Sequence, residues 1–203
     1  MVGRFFIEGE HSHSNICKGM HMSAHLTLEE LKALVRTVPD FPHEGIQFRD
    51  ITTLIGHPAG MAASVAYLAK QARAVGAQKI AGMEARGFIF GAAVAVELGL
   101  GFVPVRKPGK LPVKTIGIDY DLEYGKDRLE MDPDAVTAGE RVVIVDDLIA
   151  TGGTARAAAQ LLRLAGADVA HALFVIDLPD LGGAELLRGE NVEVHVLMDF
   201  EGE

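Results

Sequence analysis

The sequence predicts an α/β fold, a mostly parallel sheet flanked by helices on both faces. From residue 79 onward, short apolar segments alternate with helical patterns, an order typical of a parallel sheet covered by helices. Residues 142–145 are all β-branched and apolar, which favours a strand buried on both faces. The 203 residues can bury a sizeable core, and we expect residues 25–203 to form one domain.

Residues 1–24 show no apolar periodicity and lack the apolar core of a signal peptide. We expect a disordered, solvated tail. It is either an expression remnant or the result of a start placed too far upstream, with Met20 and Met22 as candidate starts. The histidines of this tail could instead bind a metal ion, and they are His11, His13 and His21.

Two helices are predicted before the alternating region. The first follows from a capping box at residues 27–30 and from apolar residues at helical spacing, and Pro39 ends it. Those apolar residues are Leu28, Leu31, Leu34, Val35 and Val38. Residues 39–55 are predicted to be irregular and, because of their length, functional. The second helix covers residues 58–75, with a proline at its start and a glycine after its end.

The alternating region defines the predicted sheet. Its strands are residues 79–83, 101–105, 142–145, 169–176 and 192–197, with helices at 87–98 and 154–164. Residues 114–131 alternate between apolar and polar side chains and predict a hairpin that projects as a flap.

Ligands of open parallel sheets bind beyond the carboxyl ends of the strands, where three loops carry polar residues. Residues 84–87 open a helix and include Arg86, whose guanidinium can hold a phosphate with two hydrogen bonds. Residues 106–110 carry three cations, Arg106, Lys107 and Lys110. Residues 146–154 carry two acids and a glycine turn at a helix start, which is typical of a phosphate site. Together they indicate a phosphorylated sugar as ligand.

Other interpretations of these loops remain open. Asp146 and Asp147 would also suit a response-regulator receiver, in which strand-end aspartates bind Mg²⁺ and one is phosphorylated. Receivers are roughly half this size and do not need the three cations. Arg86 could merely pair with a core carboxylate such as Glu84, and the cations at 106–110 could form a solvated surface.

Charge and composition exclude several classes of protein. The net charge of −9 argues against nucleic-acid binding as the main activity. We expect no membrane association, because no run of about 18 apolar residues occurs. The single cysteine, Cys17, cannot form an internal disulfide, which agrees with a cytoplasmic location.

Five ordered motifs resemble a known family. The segment VVIVDDLIATGGTA resembles the phosphoribosyl-diphosphate signature of the type I phosphoribosyltransferases. EARGFIFG, RKPGKLP, DLEYG and PDFPHEGIQFRDITT are similar to motifs of the adenine phosphoribosyltransferase family, so the resemblance runs from about residue 26 to 200. It implies the type I fold with a β-hairpin flap and an N-terminal hood segment. It also implies transfer of the phosphoribosyl group to N9 of adenine in purine salvage, giving AMP and pyrophosphate, by a homodimer with Mg²⁺ held mainly through the substrate.

The resemblance implies a role for each candidate residue. The 5-phosphate would be held by Ala150, Thr151, Gly152, Gly153 and Thr154. Asp146 and Asp147 would hold the ribose hydroxyls and face the cationic sugar of the transition state. The pyrophosphate would be neutralised by Arg86, Lys107 and Lys110, from the cationic loop that also contains Arg106. The expected catalytic residues are Glu123, Tyr124 and Arg86.

Base selection is expected away from the phosphate loop. Enzymes of this family that use 6-oxopurines carry an acid in that loop, and the matching residue is Ala150, which argues for adenine. Phe48 and Leu178 would sandwich the base, and the backbone of Gln47 and Arg49 would read its edge. Two alternatives remain: a phosphoribosyltransferase for hypoxanthine, guanine or xanthine, and a non-catalytic regulator that senses phosphoribosyl diphosphate.

Three local features complete the comparison with the family. A cis peptide is expected near Glu84–Ala85. The usual proline after Phe-Pro-x is replaced by Glu44, and the usual glycine after Lys-Leu-Pro is replaced by Val113. The loss of that glycine is expected to stiffen one hinge of the flap.

Overall fold

The computed structural model describes residues 26–122 and 125–202. Its helices are α1 (Leu28–Ala33), α2 (Thr52–Gly56), α3 (Pro58–Ala74), α4 (Arg86–Leu98), α5 (Gly153–Leu164) and α6 (Gly183–Gly189). Its strands are β1 (Arg36–Pro39), β2 (Gln47–Asp50), β3 (Lys79–Met83), β4 (Gly101–Val105), β5 (Ile116–Leu122), β6 (Gly125–Met131), β7 (Val142–Ile149), β8 (His171–Asp177) and β9 (Glu193–Asp199). The predicted tail, with its histidines and Cys17, lies outside the described residues.

A five-stranded parallel sheet forms the centre, in the order β4-β3-β7-β8-β9. This confirms the predicted α/β fold. Residues 142–145 of the middle strand, β7, are fully buried. Alternate side chains point to opposite faces of a strand, and Val142 and Val143 accordingly belong to separate hydrophobic clusters. Burying one such side chain contributes about 1.5–3 kcal/mol, which explains why β7 holds both layers together.

Helices cover both faces of the sheet, as predicted. On one face, Leu68 of α3 and Phe90 of α4 pack in the cluster that contains Val143. On the other, Leu161 of α5 and Leu187 of α6 pack in the cluster that contains Val142. The carboxyl ends of the strands therefore open onto one edge between two helical layers, where ligands of such sheets bind.

The predicted hairpin is confirmed as the antiparallel pair β5 and β6. It does not stand clear of the domain, because Leu129 and Met131 are buried in the cluster that α5 covers. Tyr120 of β5 lies directly opposite Asp127 of β6. The hairpin is thus anchored on α5, the helix that begins at the glycine turn.

The N-terminal region corrects two predictions. The capping box is confirmed, with Thr27 as the N-cap, but α1 ends at Ala33 instead of continuing to Val38. Val38 lies in β1 opposite Phe48 of β2, so the segment predicted to be irregular contains a strand and the short helix α2. Antiparallel pairing between β1 and β2 overrides the helical spacing of the apolar residues.

The other boundaries differ in smaller ways. Strand β7 continues to Ile149, so Asp146 and Asp147 lie within it and not after it. Strand β8 begins at His171, two residues after the predicted start. Helix α6 has no counterpart among the predictions; it is short and starts with a glycine, so its local signal is weak.

Candidate active site

Residues 150–154 form a tight turn between β7 and α5. Gly152 has a φ of +80°, a left-handed conformation that glycine adopts at little cost. A Cβ atom on Gly152 would lie 2.7 Å from the carbonyl oxygen of Gly183, so the turn packs directly on the start of α6. Helix α5 begins at Gly153, and the first N–H groups of a helix have no acceptor within it. The turn therefore offers backbone donors to an anion.

Asp146 and Asp147 lie beside the turn in different surroundings. Asp147 is 4% exposed, and its Oδ2 accepts a hydrogen bond from Nε of Arg86 at 2.5 Å. Asp146 Oδ1 accepts from the backbone N–H of Asp147 at 2.9 Å. Burial raises the pKa of Asp146 well above its ordinary value, and the charge of Asp147 adds to that rise. The pair concentrates carboxylate oxygens where sugar hydroxyl groups or a cation can meet them.

The loop that starts α4 places Arg86 over these acids. The Glu84–Ala85 peptide is cis, as expected. Arg86 is the first residue of α4, and its guanidinium also lies 6.0 Å from the centre of the Phe48 ring. A Cβ atom on Gly87 would lie 2.6 Å from Oδ1 of Asp146, so only glycine fits there. Arg86 does pair with a buried carboxylate, as the alternative interpretation held, but the carboxylate is that of Asp147 and not that of Glu84.

Glu84 instead binds the cationic loop. Its carboxylate accepts two hydrogen bonds from Arg106, both at 3.2 Å, and one from the backbone N–H of Lys107 at 3.1 Å. These bonds, chiefly that from Arg106, lower the pKa of Glu84. Arg106 also donates to the backbone carbonyl oxygen of Lys110, which is an exposed residue. Of the three cations in this loop, Lys107 alone lines the cavity that lies between the three strand-end loops.

The three loops enclose a cavity of about 360 Å³. Its lining residues are Met83, Glu84, Ala85, Arg86, Lys107 and residues 146–155. The structure thus brings together the glycine turn, both acids, Arg86 and Lys107, whereas Arg106 and Lys110 lie outside the lining. A cavity of this size with converging cations and backbone donors can hold a phosphorylated sugar.

A second cavity, of about 390 Å³, adjoins the first through Arg86, which lines both. Phe48 and Arg49 of β2 line it together with other residues of the N-terminal region. The Arg49 guanidinium donates to Thr37 Oγ1 at 2.6 Å and to the Glu201 carbonyl at 2.8 Å, so this side chain is held by protein groups.

Leu178, the predicted second wall for the base, follows β8. It is 8% exposed and donates its N–H to the carbonyl of Ile149 at 3.1 Å. It is not among the residues that line either cavity, and its place opposite Phe48 stays a prediction.

The predicted catalytic residues of the hairpin, Glu123 and Tyr124, lie outside the described residues. Their neighbours Leu122 and Gly125 are paired at the end of β5 and β6.

Three residues that contact the site were not predicted from the sequence, and they are Tyr120, Asp127 and Gly183. Lys107 Nζ forms an ion pair with Asp127 and donates to the Tyr120 hydroxyl at 3.1 Å. Gly183 packs against Ala150 and Gly152 of the turn after β7. The register of the hairpin would have placed Tyr120 opposite Asp127, and the glycine pair 182–183 was a signal for close packing.

Comparison with known proteins identifies relatives over most of the chain. Residues 57–186 match the phosphoribosyl transferase domain family. The chain is 72% identical over 177 residues to the adenine phosphoribosyltransferase of Novosphingobium aromaticivorans, covering 87% of this chain and 99% of that protein. The adenine phosphoribosyltransferase of Erythrobacter litoralis is 71% identical with the same coverage.

Solved structures agree with the sequence comparison. The crystal structure of adenine phosphoribosyltransferase from Thermoanaerobacter pseudethanolicus has a TM-score of 0.82 and 48% identity, covering 86% of this chain and 100% of that one. The Saccharomyces cerevisiae enzyme, complexed with adenine and an imino-altritol bisphosphate, has a TM-score of 0.78 and 39% identity, covering 84% of this chain and 98% of that one.

None of the helices in the described residues has both the length and the apolar character needed to span a membrane.

Proposed function

Because the chain belongs to the phosphoribosyltransferase family, and within it to the adenine phosphoribosyltransferases, we infer that it transfers the phosphoribosyl group of phosphoribosyl diphosphate to adenine. The products are AMP and pyrophosphate, a reaction of purine salvage. The observation that carries this conclusion is the single cavity in which the glycine turn, Asp146, Asp147 and Arg86 meet. It supplies a phosphate site, acids for a sugar and a cation for the leaving group.

The 5-phosphate is proposed to bind at residues 150–154. The N–H groups at the start of α5 donate to the phosphate oxygens, and the dipole of the helix favours the negative charge. Thr151 and Thr154 add hydroxyl donors, and both line the cavity. The ribose is then held at a fixed distance from the two acids of β7.

Asp146 and Asp147 are proposed to bind the ribose hydroxyls and to stabilise the reacting sugar. As the bond to pyrophosphate breaks, positive charge develops on the ribose, and fixed negative groups nearby lower the energy of that state. Arg86 holds Asp147 in place through its 2.5 Å hydrogen bond and is itself a ligand for the departing pyrophosphate. One ion pair therefore contacts both parts of the bond that breaks.

Lys107 is proposed to share the pyrophosphate with Arg86, since both line the cavity. Arg106 and Lys110 were predicted as further ligands. In the structure the Arg106 guanidinium is held by Glu84, and Lys110 is exposed. Arg106 is therefore proposed to hold the loop on Glu84, and Lys110, whose charge helps to lower the pKa of Glu84, is proposed to add positive potential that attracts the anionic substrate.

Mg²⁺ is proposed as the cofactor, bound mainly through the substrate. Among the described residues, no three His, Cys, Asp or Glu side chains cluster to hold a metal ion. Mg²⁺ commonly takes one or two carboxylates together with phosphate oxygens and waters. Asp146 fits that donor set, because its carboxylate accepts only the backbone N–H of Asp147, whereas Asp147 is paired with Arg86 and Glu84, the other carboxylate of the cavity, with Arg106. When bound, the ion supplies positive charge that neutralises the leaving pyrophosphate.

Adenine is proposed to lie against Phe48, with its edge read by backbone groups of Gln47 and Arg49. The two terminal nitrogens of the Arg49 side chain are held by Thr37 and Glu201, which agrees with recognition through the backbone. Leu178 is proposed as the opposing wall. Glu123 is the proposed acid at the purine, and Tyr124 the proposed contact to sugar and pyrophosphate. Closure of the hairpin would exclude water and prevent hydrolysis.

A homodimer is proposed as the assembly. Helix α4 exposes two large apolar side chains, Ile89 at 40% and Val96 at 82%, which favours an interface there. Light scattering is expected to give twice the chain mass of 21.7 kDa, and a mass of 21.7 kDa would contradict the proposal. A cytoplasmic location stays a prediction from the single cysteine.

Product analysis tests the inferred activity. Purified protein supplied with adenine, phosphoribosyl diphosphate and Mg²⁺ is expected to form AMP and pyrophosphate in equal amounts, separated by anion-exchange chromatography. Binding of phosphoribosyl diphosphate without any turnover would contradict the activity and favour the non-catalytic regulator. The absence of both would remove the site assignment as well.

A further inference from the structure

The ammonium group of Lys107 is held by the hairpin and not by its own loop. It forms an ion pair with Asp127 and donates a hydrogen bond to the Tyr120 hydroxyl at 3.1 Å. The Tyr120 hydroxyl in turn donates to Oδ2 of Asp127 at 3.1 Å. Because Tyr120 and Asp127 are direct cross-strand neighbours, β5 and β6 fix these two acceptors relative to each other.

The surroundings make this contact more than a surface ion pair. The Lys107 and Asp127 side chains are 37% and 26% exposed, and Tyr120 is 7% exposed. Hydrogen bonding to Lys107 lowers the pKa of Asp127. A lysine has a long flexible side chain, so two fixed acceptors at its tip restrict it to one position at the edge of the cavity.

Tyr120 also connects this group to the phosphate turn. Its oxygen accepts a hydrogen bond from Thr154 Oγ1 at 3.4 Å while it accepts from Lys107. Thr154 lies in the turn proposed for the 5-phosphate, and Lys107 on the side proposed for the pyrophosphate. A single buried hydroxyl therefore joins the two ends of the proposed substrate.

The cations near the cavity differ in where their carboxylates come from. Arg86 is paired with Asp147 and Arg106 with Glu84, both from loops or strands of the central sheet. Lys107 is paired with a residue of the hairpin. The position of this one cavity cation therefore depends on the hairpin.

We propose that Asp127 is a positioning residue for the pyrophosphate half of the substrate. It holds Lys107 at the cavity, with Tyr120 as the shared partner that keeps Lys107 in register with the phosphate turn. An ammonium has three N–H donors, so the two hydrogen bonds to the hairpin leave one for pyrophosphate. This inference rests on the proposed function, because it assumes that the cavity binds phosphoribosyl diphosphate.

Steady-state kinetics of Asp127→Ala and Lys107→Ala test the proposal. Each variant is expected to raise the KM for phosphoribosyl diphosphate about fivefold to tenfold, the effect of losing one charge-assisted hydrogen bond. The KM for adenine is expected to stay within about twofold in both, since Lys107 does not line the cavity beside Phe48. A merely structural role of Asp127 would change both KM values together.

A double-mutant cycle tests whether Asp127 acts through Lys107. The variant that combines Asp127→Ala with Lys107→Ala is expected to match Lys107→Ala alone, since no ammonium is left to position. Asp127→Glu is expected to recover most of the affinity. If the alanine variant does not fold, Tyr120→Phe, which removes only the shared hydroxyl, is expected to raise the same KM in the same direction.

Asp119→Ala is the matched control. Asp119 also belongs to the hairpin and pairs with Arg128 at 2.9 Å, but its side chain is 68% exposed and makes no contact with Lys107. This variant is expected to leave both KM values unchanged. An equal effect of Asp119→Ala and Asp127→Ala would overturn the proposal, as would additive losses in the double mutant.

Titration calorimetry separates this inference from the proposed function. Asp127→Ala is expected to weaken binding of phosphoribosyl diphosphate with Mg²⁺ while its affinity for AMP, which has no pyrophosphate group, stays within about twofold of wild type. Unchanged or tighter binding of phosphoribosyl diphosphate would overturn the inference alone. Failure of the wild-type protein to form AMP would overturn the proposed function, and the binding comparison would still decide the role of Asp127.

Discussion

Arg86 and Asp147 are 61 residues apart in the sequence and are joined by a hydrogen bond of 2.5 Å from Nε to Oδ2. Each residue belongs to a different strand-end region, one at the start of α4 and one near the end of β7. Their contact fixes the residue proposed to bind the pyrophosphate relative to the residue proposed to bind the ribose. The bond that breaks in the reaction would lie between them.

Asp147→Asn is expected to lose most of the turnover with little loss of folding stability. The change removes the negative charge that faces the reacting sugar, and loss of one such electrostatic group lowers kcat by about a hundredfold or more. Arg86 is half-exposed, so the ion pair itself contributes only about 1 kcal/mol or less to stability. Initial rates and urea unfolding measure the two effects. A variant with wild-type rates would remove Asp147 from the mechanism.

Gly183→Ala is expected to weaken binding of phosphoribosyl diphosphate, because a Cβ atom at this position would lie 2.1 Å from the carbonyl oxygen of Ala150 and push the phosphate turn aside. Gly189→Ala is the matched control, since it lies in the same helix with no atom within 4 Å of the added Cβ. Titration calorimetry with phosphoribosyl diphosphate checks the pair. Equal affinities for both variants would show that the packing of α6 does not position the turn.

Phe48→Ala is expected to raise the KM for adenine about tenfold or more and to leave the KM for phosphoribosyl diphosphate nearly unchanged. The ring lines the second cavity, and stacking of a base on an aromatic side chain contributes about 1–3 kcal/mol. The KM for phosphoribosyl diphosphate is the internal control. If only the KM for phosphoribosyl diphosphate rises, adenine does not bind in the second cavity.

The sequence predicted the elements whose signals are local. The strands of the sheet follow from apolar runs, and β7 was predicted because residues 142–145 are all β-branched and apolar, which agrees with their burial. The predicted end of α1 was wrong because Val35 and Val38 fit both helical spacing and a strand. The pairing of β1 with β2 decides between them, and the spacing of the apolar residues does not reveal that pairing.

The same distinction applies to the candidate site. The glycine turn, the acids and Arg86 follow strand ends, so a general rule for parallel sheets brought them together. The contact between Lys107 and Asp127 depends on the register of β5 and β6 and on where the hairpin packs, and the sequence alone does not supply either. The position of Leu178 relative to Phe48 depends on the packing of the N-terminal region, for which the sequence offers no periodic signal.

Stability is expected to fall below neutral pH through His195. Burial lowers the pKa of His195, and the neighbouring His171, with ring nitrogens 3.4 Å apart, lowers it further, while Glu193 opposes the shift. Between this lowered pKa and the ordinary value near 6.5, the unfolded state binds more protons, so the free energy of unfolding decreases as pH falls through that range. Urea unfolding at pH 7.5 and at lower pH measures the decrease.

His195→Gln is the control for this pH dependence. Its glutamine does not titrate, so the variant is expected to lose less stability than wild type between pH 7.5 and the acid side of the transition. An identical decrease in both proteins would assign the effect to other groups.

The choice of base is the most direct test of the proposed activity. The turn after β7 has Ala150 where an acid would serve a 6-oxopurine, and the second cavity is lined by Phe48 beside Arg86. The measurement is kcat/KM for adenine, hypoxanthine and guanine with saturating phosphoribosyl diphosphate and Mg²⁺. We expect AMP formation with a kcat/KM that exceeds the other two by about a hundredfold or more. Formation of IMP or GMP at rates equal to or above that of AMP would contradict it.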